Sequence, residues 1–501
     1  MSIYSEFQQV ALRQPDAPAL LTFDGAVTYG AVLALADRIA GGLLKAGLST
    51  GDRVAVHLSN RHELVSAYYA CLRAGAVLVP VSGGLAAGEV ERLLADGAPR
   101  FYLGESALHD PCAEAVEAAA TVERAWVLDS DRSRGATRPW DELLTDTPVG
   151  GDSPDPDDLA AIFYTSGTTG RPKSLVLSRA TLGSSLDLTA AQGVGRGAAT
   201  YYMISLSNPW GILVLLTSLR RGRPVALTAT NTSDVVLRML RTHRFGWIGG
   251  QPTAFRSLLA EARKATEPPP DLTGTSCVTG GDVCPVELSR DFLDAFGAPL
   301  QSLYGMTETA APVIQQPKVD AVDVPSIGWP LPGVEVRIDA GPGKAGELLV
   351  RTPSRPVGSW NGTGVDRFDR EEWLATGDIV QERSSDSCLL FVGRQKDLIV
   401  VEGYPISPLE IEQAITAHPD VAAALVFGVP DAVRGERVIA LVEPAPGRRL
   451  HLTEVLRELS GRIGKYKMPS EINAVEKLPV LPSGKLGRQR LAADYVSTQG
   501  R

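Results

Sequence analysis

The chain has 501 residues, too many for one core, and at about 100–200 residues per domain it calls for several domains or subdomains. Its 44% hydrophobic and 21% charged residues are an ordinary globular composition. Lys and Arg number 49 against 58 Asp and Glu, a formal charge of −9, which argues against nucleic acid or a membrane as the main partner, since both demand a clustered positive field. The first residues lack a basic stretch followed by an apolar core, so no secretory signal is expected. The longest strongly apolar run, Ile212 to Leu219, is too short to span a bilayer. Five scattered cysteines and six scattered histidines, with no CxxC, argue against a disulfide framework or a zinc site and fit a reducing cytoplasm.

Taken in chain order, the first region alternates helix and strand. Val32, Leu35, Ile39 and Leu43 recur at helical spacing, and Gly47 is a helix stop. Arg53–Leu58 reads as a strand, His62–Ala74 as a helix and Val77–Val81 as a strand. Gly150–Asp158 reads as a surface linker. The pattern resumes with strand Thr200–Leu206, helix Trp210–Arg220, strand Pro224–Leu227 and helix Asp234–Thr242. This βαβ grammar predicts α/β architecture with helix-covered sheets. From Gly328 to Val350 Pro and Gly become dense, and Val334–Ile338 and Glu347–Val350 predict a β-rich subdomain. After Asp397 the texture changes again: a helix from Pro408, strands Ala422–Val429 and Val438–Val442, helix Leu452–Ile463 and a strand near Ile472–Val475. That is a small α+β unit of about 100 residues, large enough to fold alone. The expected domains are 1–394 and 397–501, with a hinge at 395–396.

The strongest chemical signal is Tyr164-Thr165-Ser166-Gly167-Thr168-Thr169-Gly170-Arg171-Pro172-Lys173, a loop leaving the apolar run Leu159–Phe163. Glycines let backbone N–H groups approach a ligand, and hydroxyls and cations crowd one short loop. That suits the terminal phosphates of a nucleotide, although the GxxxxGK[ST] spacing of a Walker A loop is not met. Further along stand Tyr304-Gly305-Met306-Thr307-Glu308, Thr376-Gly377-Asp378, Gly393-Arg394-Gln395-Lys396-Asp397-Leu398-Ile399 and Pro482-Ser483-Gly484-Lys485-Leu486. Each alone is a weak signal, and a lone Thr-Gly-Asp or Ser-Gly-Lys is usually just a turn. In this order, the five segments resemble the signatures of the adenylate-forming superfamily: acyl-CoA and aryl-CoA synthetases, peptide-synthetase adenylation domains and luciferases.

The resemblance implies an ATP- and Mg²⁺-dependent ligase. It would make an acyl-AMP with release of pyrophosphate, then pass the acyl group to a thiol of CoA or of phosphopantetheine on a separate carrier protein. By the same resemblance Thr165, Ser166, Gly167, Thr168, Thr169 and Lys173 hold the β- and γ-phosphates. Thr307 contacts the α-phosphate, and Glu308 binds Mg²⁺, a hard ion that prefers oxygen ligands. Tyr304 flanks adenine, with Gly280, Gly281 and Asp282 on its other side; core packing is the alternative role for Tyr304. Asp378 accepts from both ribose hydroxyls, and Arg394 adds a ribose or phosphate contact. Lys485 neutralises charge in the adenylation transition state. Lys396 is the hinge about which the small, mobile C-terminal domain rotates over an active site between the domains. Residues 450–501 carry nine Lys and Arg against five Asp and Glu, which favours an anionic ligand or partner.

The sequence also departs from the family. Ile204-Ser205-Leu206-Ser207-Asn208-Pro209-Trp210-Gly211 stands where many acyl-CoA synthetases carry an aromatic-His segment, and Asn208 takes the place of the His. Ser174 replaces a usual Gly, and Ser178-Arg179 a common Thr/Ser-His. The acyl pocket is expected between the helix after Trp210, the segment Trp247–Thr253 and Thr279–Gly281, with Asn208, Trp210, Gln251, Thr279, Gly280 and Gly305 as liners. This polar and aromatic mixture points to a small aromatic or polar acid, since a long chain wants an apolar tunnel. Two other readings stay open: a diazotase that activates nitrite for coupling to an aromatic amine, and a nucleotide-binding regulator without catalysis.

Overall fold

The structure, a computed structural model, describes residues 2–131, 135–146, 155–165, 173–317, 326–341, 343–402, 404–431, 433–445, 447–478 and 488–499. Most of the linker read at Gly150–Asp158 lies outside these residues. The chain forms two compact units, Met1–Val322 with Pro330–Glu335 and Arg351–Glu372, and Asp323–Trp329 with Val336–Val350 and Trp373–Arg501. The strands of the Pro- and Gly-dense region around 336–350, and those of 373–394, therefore pack with the smaller C-terminal unit. The architecture is mixed α/β with a large N-terminal and a smaller C-terminal unit, in line with the sequence reading.

The first unit is built on two sheets. In one, Val77–Pro80, Arg53–His57, Phe101–Glu105 and Arg124–Leu128 run parallel side by side, and Leu159–Thr165 joins them beside Val77–Pro80. Leu159–Thr165 then turns back as the antiparallel strand Lys173–Ser178, with Thr165 opposite Lys173. In the other sheet, Leu300–Gly305, Ser276–Gly280, Trp247–Gly250, Thr200–Tyr202 and Val225–Ala226 are parallel neighbours. The expected strand Thr200–Leu206 is cut to three residues, because Leu206 N–H leaves the ladder and donates to Asn60 Oδ1 at 2.9 Å.

Helix His62–Ala74 begins and ends where its spacing predicts, and Gly75 stops it with φ 79°. It is buried on nearly every face, as a helix apolar all round must be. Tyr68 Oη donates to Leu206 O at 3.4 Å, and the Tyr69 ring stacks on Phe7 at 3.8 Å. Helix Tyr29–Lys45 starts at Thr28, whose hydroxyl accepts from Ala31 N–H at 3.2 Å. One face of the second sheet packs Tyr201, Ile248, Cys277 and Leu300 against Leu237, Phe255 and Phe292 of its helices.

His57 closes its strand in the buried interior, 1% exposed, with Nδ1 2.8 Å from the Tyr102 hydroxyl and Nε2 without a hydrogen-bond partner among the described residues. Burial, and secondly the nearby His109, lower its pKa from 6.5 to about 4. A base whose folded pKa is depressed contributes stability that is full above its unfolded pKa and is lost as pH falls toward the folded one. Between pH 6.5 and 4 that loss amounts to about 3 kcal/mol. Replacing His57 by Gln should flatten the acid side of the stability curve in that window, read by urea unfolding; an unchanged slope counts against it.

The second unit has an antiparallel sheet of Tyr404–Ile406, Ile399–Val401, Gly435–Pro444 and Val421–Asp431, with Glu471–Ala474 parallel to Gly435–Pro444. Helices Pro408–Thr416 and Leu452–Ser460 bury Ile411, Ile415, Val455 and Leu459 against it. Helix Arg488–Gln499 is tied to this body at its first residue. Arg488 Nη2 bonds the buried Glu412 carboxylate at 2.6 Å and Nε donates to Val426 O at 3.1 Å. A second antiparallel group contains Gly346–Arg351, Leu374–Glu382 and Leu389–Arg394.

Candidate active site

In the first unit the hairpin Leu159–Thr165 and Lys173–Ser178 brackets the hydroxyl-rich loop. Ser166, Gly167, Thr168 and Thr169 lie outside the described residues, as does the Thr165 side chain. Lys173 emerges from the loop's far end with Nζ 4.0 Å from Glu308 Oε1. The structure thus brings the last residue of the first motif to the carboxylate of the second. Ser174, the departure from Gly, is buried and bonded in both directions to the main chain of Trp360: Oγ donates to Trp360 O at 2.8 Å and accepts its N–H at 3.1 Å. Ser178 caps helix Arg179–Ala191.

Tyr304-Gly305-Met306-Thr307-Glu308 leaves the end of strand Leu300–Gly305 and enters a single 3₁₀ turn, Thr307–Thr309. A Cβ on Gly305 would stand 2.6 Å from Pro312 Cα, so only glycine lets the returning chain pass. The turn is held from inside: Thr309 Oγ1 lies 2.7 Å from both Met306 O and Ala311 O, and Ser354 Oγ donates to Thr309 O at 2.7 Å. Ala310 leaves it in the left-handed region, φ 57°, a conformation a residue with a Cβ adopts only when its surroundings impose it. The motif is therefore a rigid projection carrying Thr307 and Glu308.

Tyr304 is buried, and its neighbour across the sheet on the same face is Thr279, two residues along the register. The Thr279 hydroxyl is buried with no hydrogen-bond partner among the described residues. Gly281 sits at φ 86°, its Cβ position 3.7 Å from the Gln251 side chain. Asp282 is exposed, and its Oδ1 accepts from Val283 N–H at 2.8 Å.

The opposite face of the same strands carries aromatic rings over glycines. Trp247 folds its six-membered ring across Gly249, where a Cβ would meet Cη2 at 2.0 Å. Trp210, on the first turn of helix Pro209–Arg220, lies over Gly280, with Cη2 3.6 Å from the Cβ position there. The two indoles meet edge to face at 6.2 Å, and Tyr202 meets Trp210 edge to face at 5.2 Å. Asn208 is not among these liners. Its Oδ1 accepts from Trp210 N–H at 2.9 Å, and it serves as the exposed cap of the helix. Asn followed by Pro is a helix start, a signal the pocket reading passed over. Trp247 stood at the edge of the segment read as pocket-forming; its role shows only in the ring's lie over Gly249.

In the second unit Asp378 and Arg394 face each other across the ladder of Leu374–Glu382 and Leu389–Arg394, with Nε 3.2 Å from Oδ1. The Asp378 side chain is 6% exposed and that of Arg394 46%, so the carboxylate is fixed and the guanidinium reaches solvent. The bend before Asp378 is fastened at three points. Gly377, at φ 71°, donates to Glu347 Oε1 at 2.9 Å, the Thr376 hydroxyl donates to Leu348 O at 2.8 Å, and it accepts from Asp378 N–H at 3.1 Å. Glu347 had no visible role in the sequence. Lys396 is exposed in the 3₁₀ turn Gln395–Asp397, between Leu389–Arg394 and Ile399–Val401. Lys485 lies outside the described residues.

Residues 7–358 match the AMP-binding enzyme family and residues 410–485 its C-terminal domain. The chain is 31% identical to a feruloyl-CoA synthase of Amycolatopsis sp, over 95% of each chain. It is 29% identical to a fatty acid–[acyl-carrier-protein] ligase of Streptomyces coeruleorubidus, over 98% of this chain and 96% of that one. The crystal structure of a coronafacic acid ligase from Pectobacterium brasiliense superposes with TM-score 0.84 at 35% identity, covering 99% of this chain and 98% of that one. With the ordered motifs and the family match over most of its length, the chain belongs to the AMP-binding enzymes of the adenylate-forming superfamily and is an ATP-dependent, AMP-forming ligase.

Proposed function

We propose that this ligase activates a compact aromatic or polar carboxylic acid as its acyl-AMP and transfers the acyl group to a thiol, that of CoA or of phosphopantetheine on a separate carrier protein. The observation that carries the size of the acid is the pair of indoles over Gly249 and Gly280. They put bulky rings on the face along which a long chain would need an open apolar tunnel. The thiol is supported by the feruloyl-CoA synthase and the carrier-protein ligase among the relatives. The five free cysteines are in keeping with a reducing, cytoplasmic setting.

In this reading the acid's carboxylate attacks the α-phosphorus of ATP and pyrophosphate leaves. Lys173, with the loop Thr165–Thr169, holds the β- and γ-phosphates. Thr307 orients the α-phosphate, Tyr304 with Gly280, Gly281 and Asp282 flanks adenine, and Asp378 and Arg394 hold the ribose. Lys485 meets the charge that develops at the reacting phosphate. Glu308 is the Mg²⁺ ligand. A single carboxylate suits Mg²⁺, a hard ion that keeps several waters and takes phosphate oxygens. When bound, Mg²⁺ would neutralise charge on the departing pyrophosphate. Lys396, exposed in its short turn, is the hinge of domains 1–394 and 397–501, and limited proteolysis is expected to cut first beside it, at Gln395, leaving two folded pieces; cuts spread through the chain would refute this.

The test is pyrophosphate release from ATP and Mg²⁺ with a panel of acids, with and without CoA, and in parallel with nitrite plus aromatic amines. Acid-dependent release with a thioester product supports the reading. Release that needs nitrite and an amine would replace it with a diazotase, and no release under any condition would favour a nucleotide-binding regulator.

A further inference from the structure

Eleven buried side-chain polar atoms have no hydrogen-bond partner among the described residues, and five of them belong to one neighbourhood of the first unit: Nε2 and Oε1 of Gln192, Nε1 of Trp247, Nε1 of Trp210 and Nε2 of Gln301. Native interiors leave few such groups, and a concentration of them needs an explanation. Gln192, Trp247 and Gln301 are 2%, 0% and 4% exposed, so bulk water does not serve them.

The neighbourhood is continuous. Trp247 Cδ1, the atom next to its N–H, is 3.8 Å from the Cβ position of Gly193, so the pyrrole edge points toward the backbone beside Gln192. Gln315 Nε2 lies 3.5 Å from both Gln192 O and Gln301 Oε1. Gln301 pairs with Val278 in the ladder and so shares the face of Gly280, over which Trp210 lies. This is the face assigned above to the acid.

The unmet groups have a definite chemistry. Two indole N–H groups and the Gln301 amide nitrogen only donate, and Gln192 offers one donor and one acceptor. Donors exceed acceptors, and none of the four residues carries a charge. A carboxylate or ammonium placed there would be buried unpaired, which is costly. A neutral oxygen fits: a carbonyl accepts from the donors, and a hydroxyl also gives its proton to Gln192 Oε1.

We propose that Gln192, Trp247 and Gln301 form the distal end of the acid pocket and select a compact cyclic acid bearing a neutral oxygen, ketone or hydroxyl, on the side away from its carboxylate. This rests on the acid-activation reading and names the substrate class of that same site. A purely hydrophobic floor could not discriminate in this way; buried donors left unmet penalise the analogue that lacks the oxygen.

The experiment uses the full-length enzyme and acids in matched pairs, 4-acetylbenzoate against 4-isopropenylbenzoate and 4-hydroxybenzoate against 4-methylbenzoate, with kcat/KM read from pyrophosphate release. The oxygenated member of at least one pair should be preferred about tenfold or more. In Gln192→Met, similar in length but unable to hydrogen-bond, that ratio should fall to about threefold or less, the equivalent of losing one hydrogen bond. Gln192→Asn, which keeps the amide, should recover part of it. A role confined to folding would lower both members alike and leave the ratio in place, overturning the inference. A wild-type ratio near one with measurable release would also overturn it, ordered water then being what meets these groups, while acid activation stands. No release from any acid would defeat the acid-activation reading and this inference with it.

Discussion

Lys485→Ala is expected to lower acid-dependent pyrophosphate release by about 10²–10³-fold, the usual consequence of removing one preorganised group that meets developing charge. In the adenylation step a carboxylate oxygen approaches an already anionic α-phosphate, so two negative groups must come together before the pyrophosphate departs. A single ammonium placed at that point acts mainly in the transition state, so kcat should carry most of the loss and KM for ATP little of it. The second half-reaction, from synthetic acyl-AMP to thioester, involves no such approach and should fall far less. Lys485→Arg should restore only part of the rate, since a planar guanidinium does not occupy the place of a compact ammonium. Thermal unfolding of each variant separates these effects from misfolding. Full pyrophosphate release in Lys485→Ala would remove this lysine from the mechanism.

The elements that the sequence displayed best are those whose periodicity was enforced by burial. Helix His62–Ala74 and strand Arg53–His57 were visible because each is surrounded by apolar neighbours and bounded by Gly or polar residues. The strand expected over Thr200–Leu206 was not, because beyond Met203, whose N–H still reaches Gly249 O, the backbone turns to loop contacts such as that of Leu206 with Asn60. Hydrophobic pattern reports burial and says little about which partner a given N–H finds. The Pro- and Gly-dense stretch was legible as β-structure, whereas its packing with the second unit depends on pairings such as Gly346 with Val380 that are not local in sequence.

The candidate site divides in the same way. Short motifs carried Lys173, Glu308, Asp378 and Arg394, because each stands at a fixed place in a short segment that resembles a family signature. The rings and amides on the other face had no such spacing. Gln192 caps a helix, Trp247 opens a strand and Gln301 lies inside another; the register of the sheet puts Trp247 and Gln301 on one face, and Gln315 links Gln192 to Gln301. Asn208, conspicuous against the family pattern, has a local duty, capping a helix whose first residue is proline.

Asp378→Ala is expected to raise KM for ATP by about 10²–10⁴-fold with a smaller effect on kcat. Hydrogen bonds to a charged group contribute roughly 1.5–3 kcal/mol each, and every 1.4 kcal/mol or so is tenfold. The carboxylate is held by its ladder position and by the bend fastened at Thr376 and Gly377, so it requires no reorganisation to accept two hydroxyls. Its pairing with Arg394 should contribute little to folding, because that guanidinium is about half exposed and returns readily to water. The variant should therefore unfold at nearly the wild-type temperature. Asp378→Asn keeps one acceptor oxygen and should lose less. The decisive comparison alters the nucleotide as well. If Asp378 accepts from the ribose, 2′-deoxy-ATP or 3′-deoxy-ATP should weaken wild type markedly and Asp378→Ala hardly at all, since the partner lost from one side is already gone from the other. Equal losses in both enzymes would show that the carboxylate does not touch the ribose and that its hold on Arg394 is its whole role.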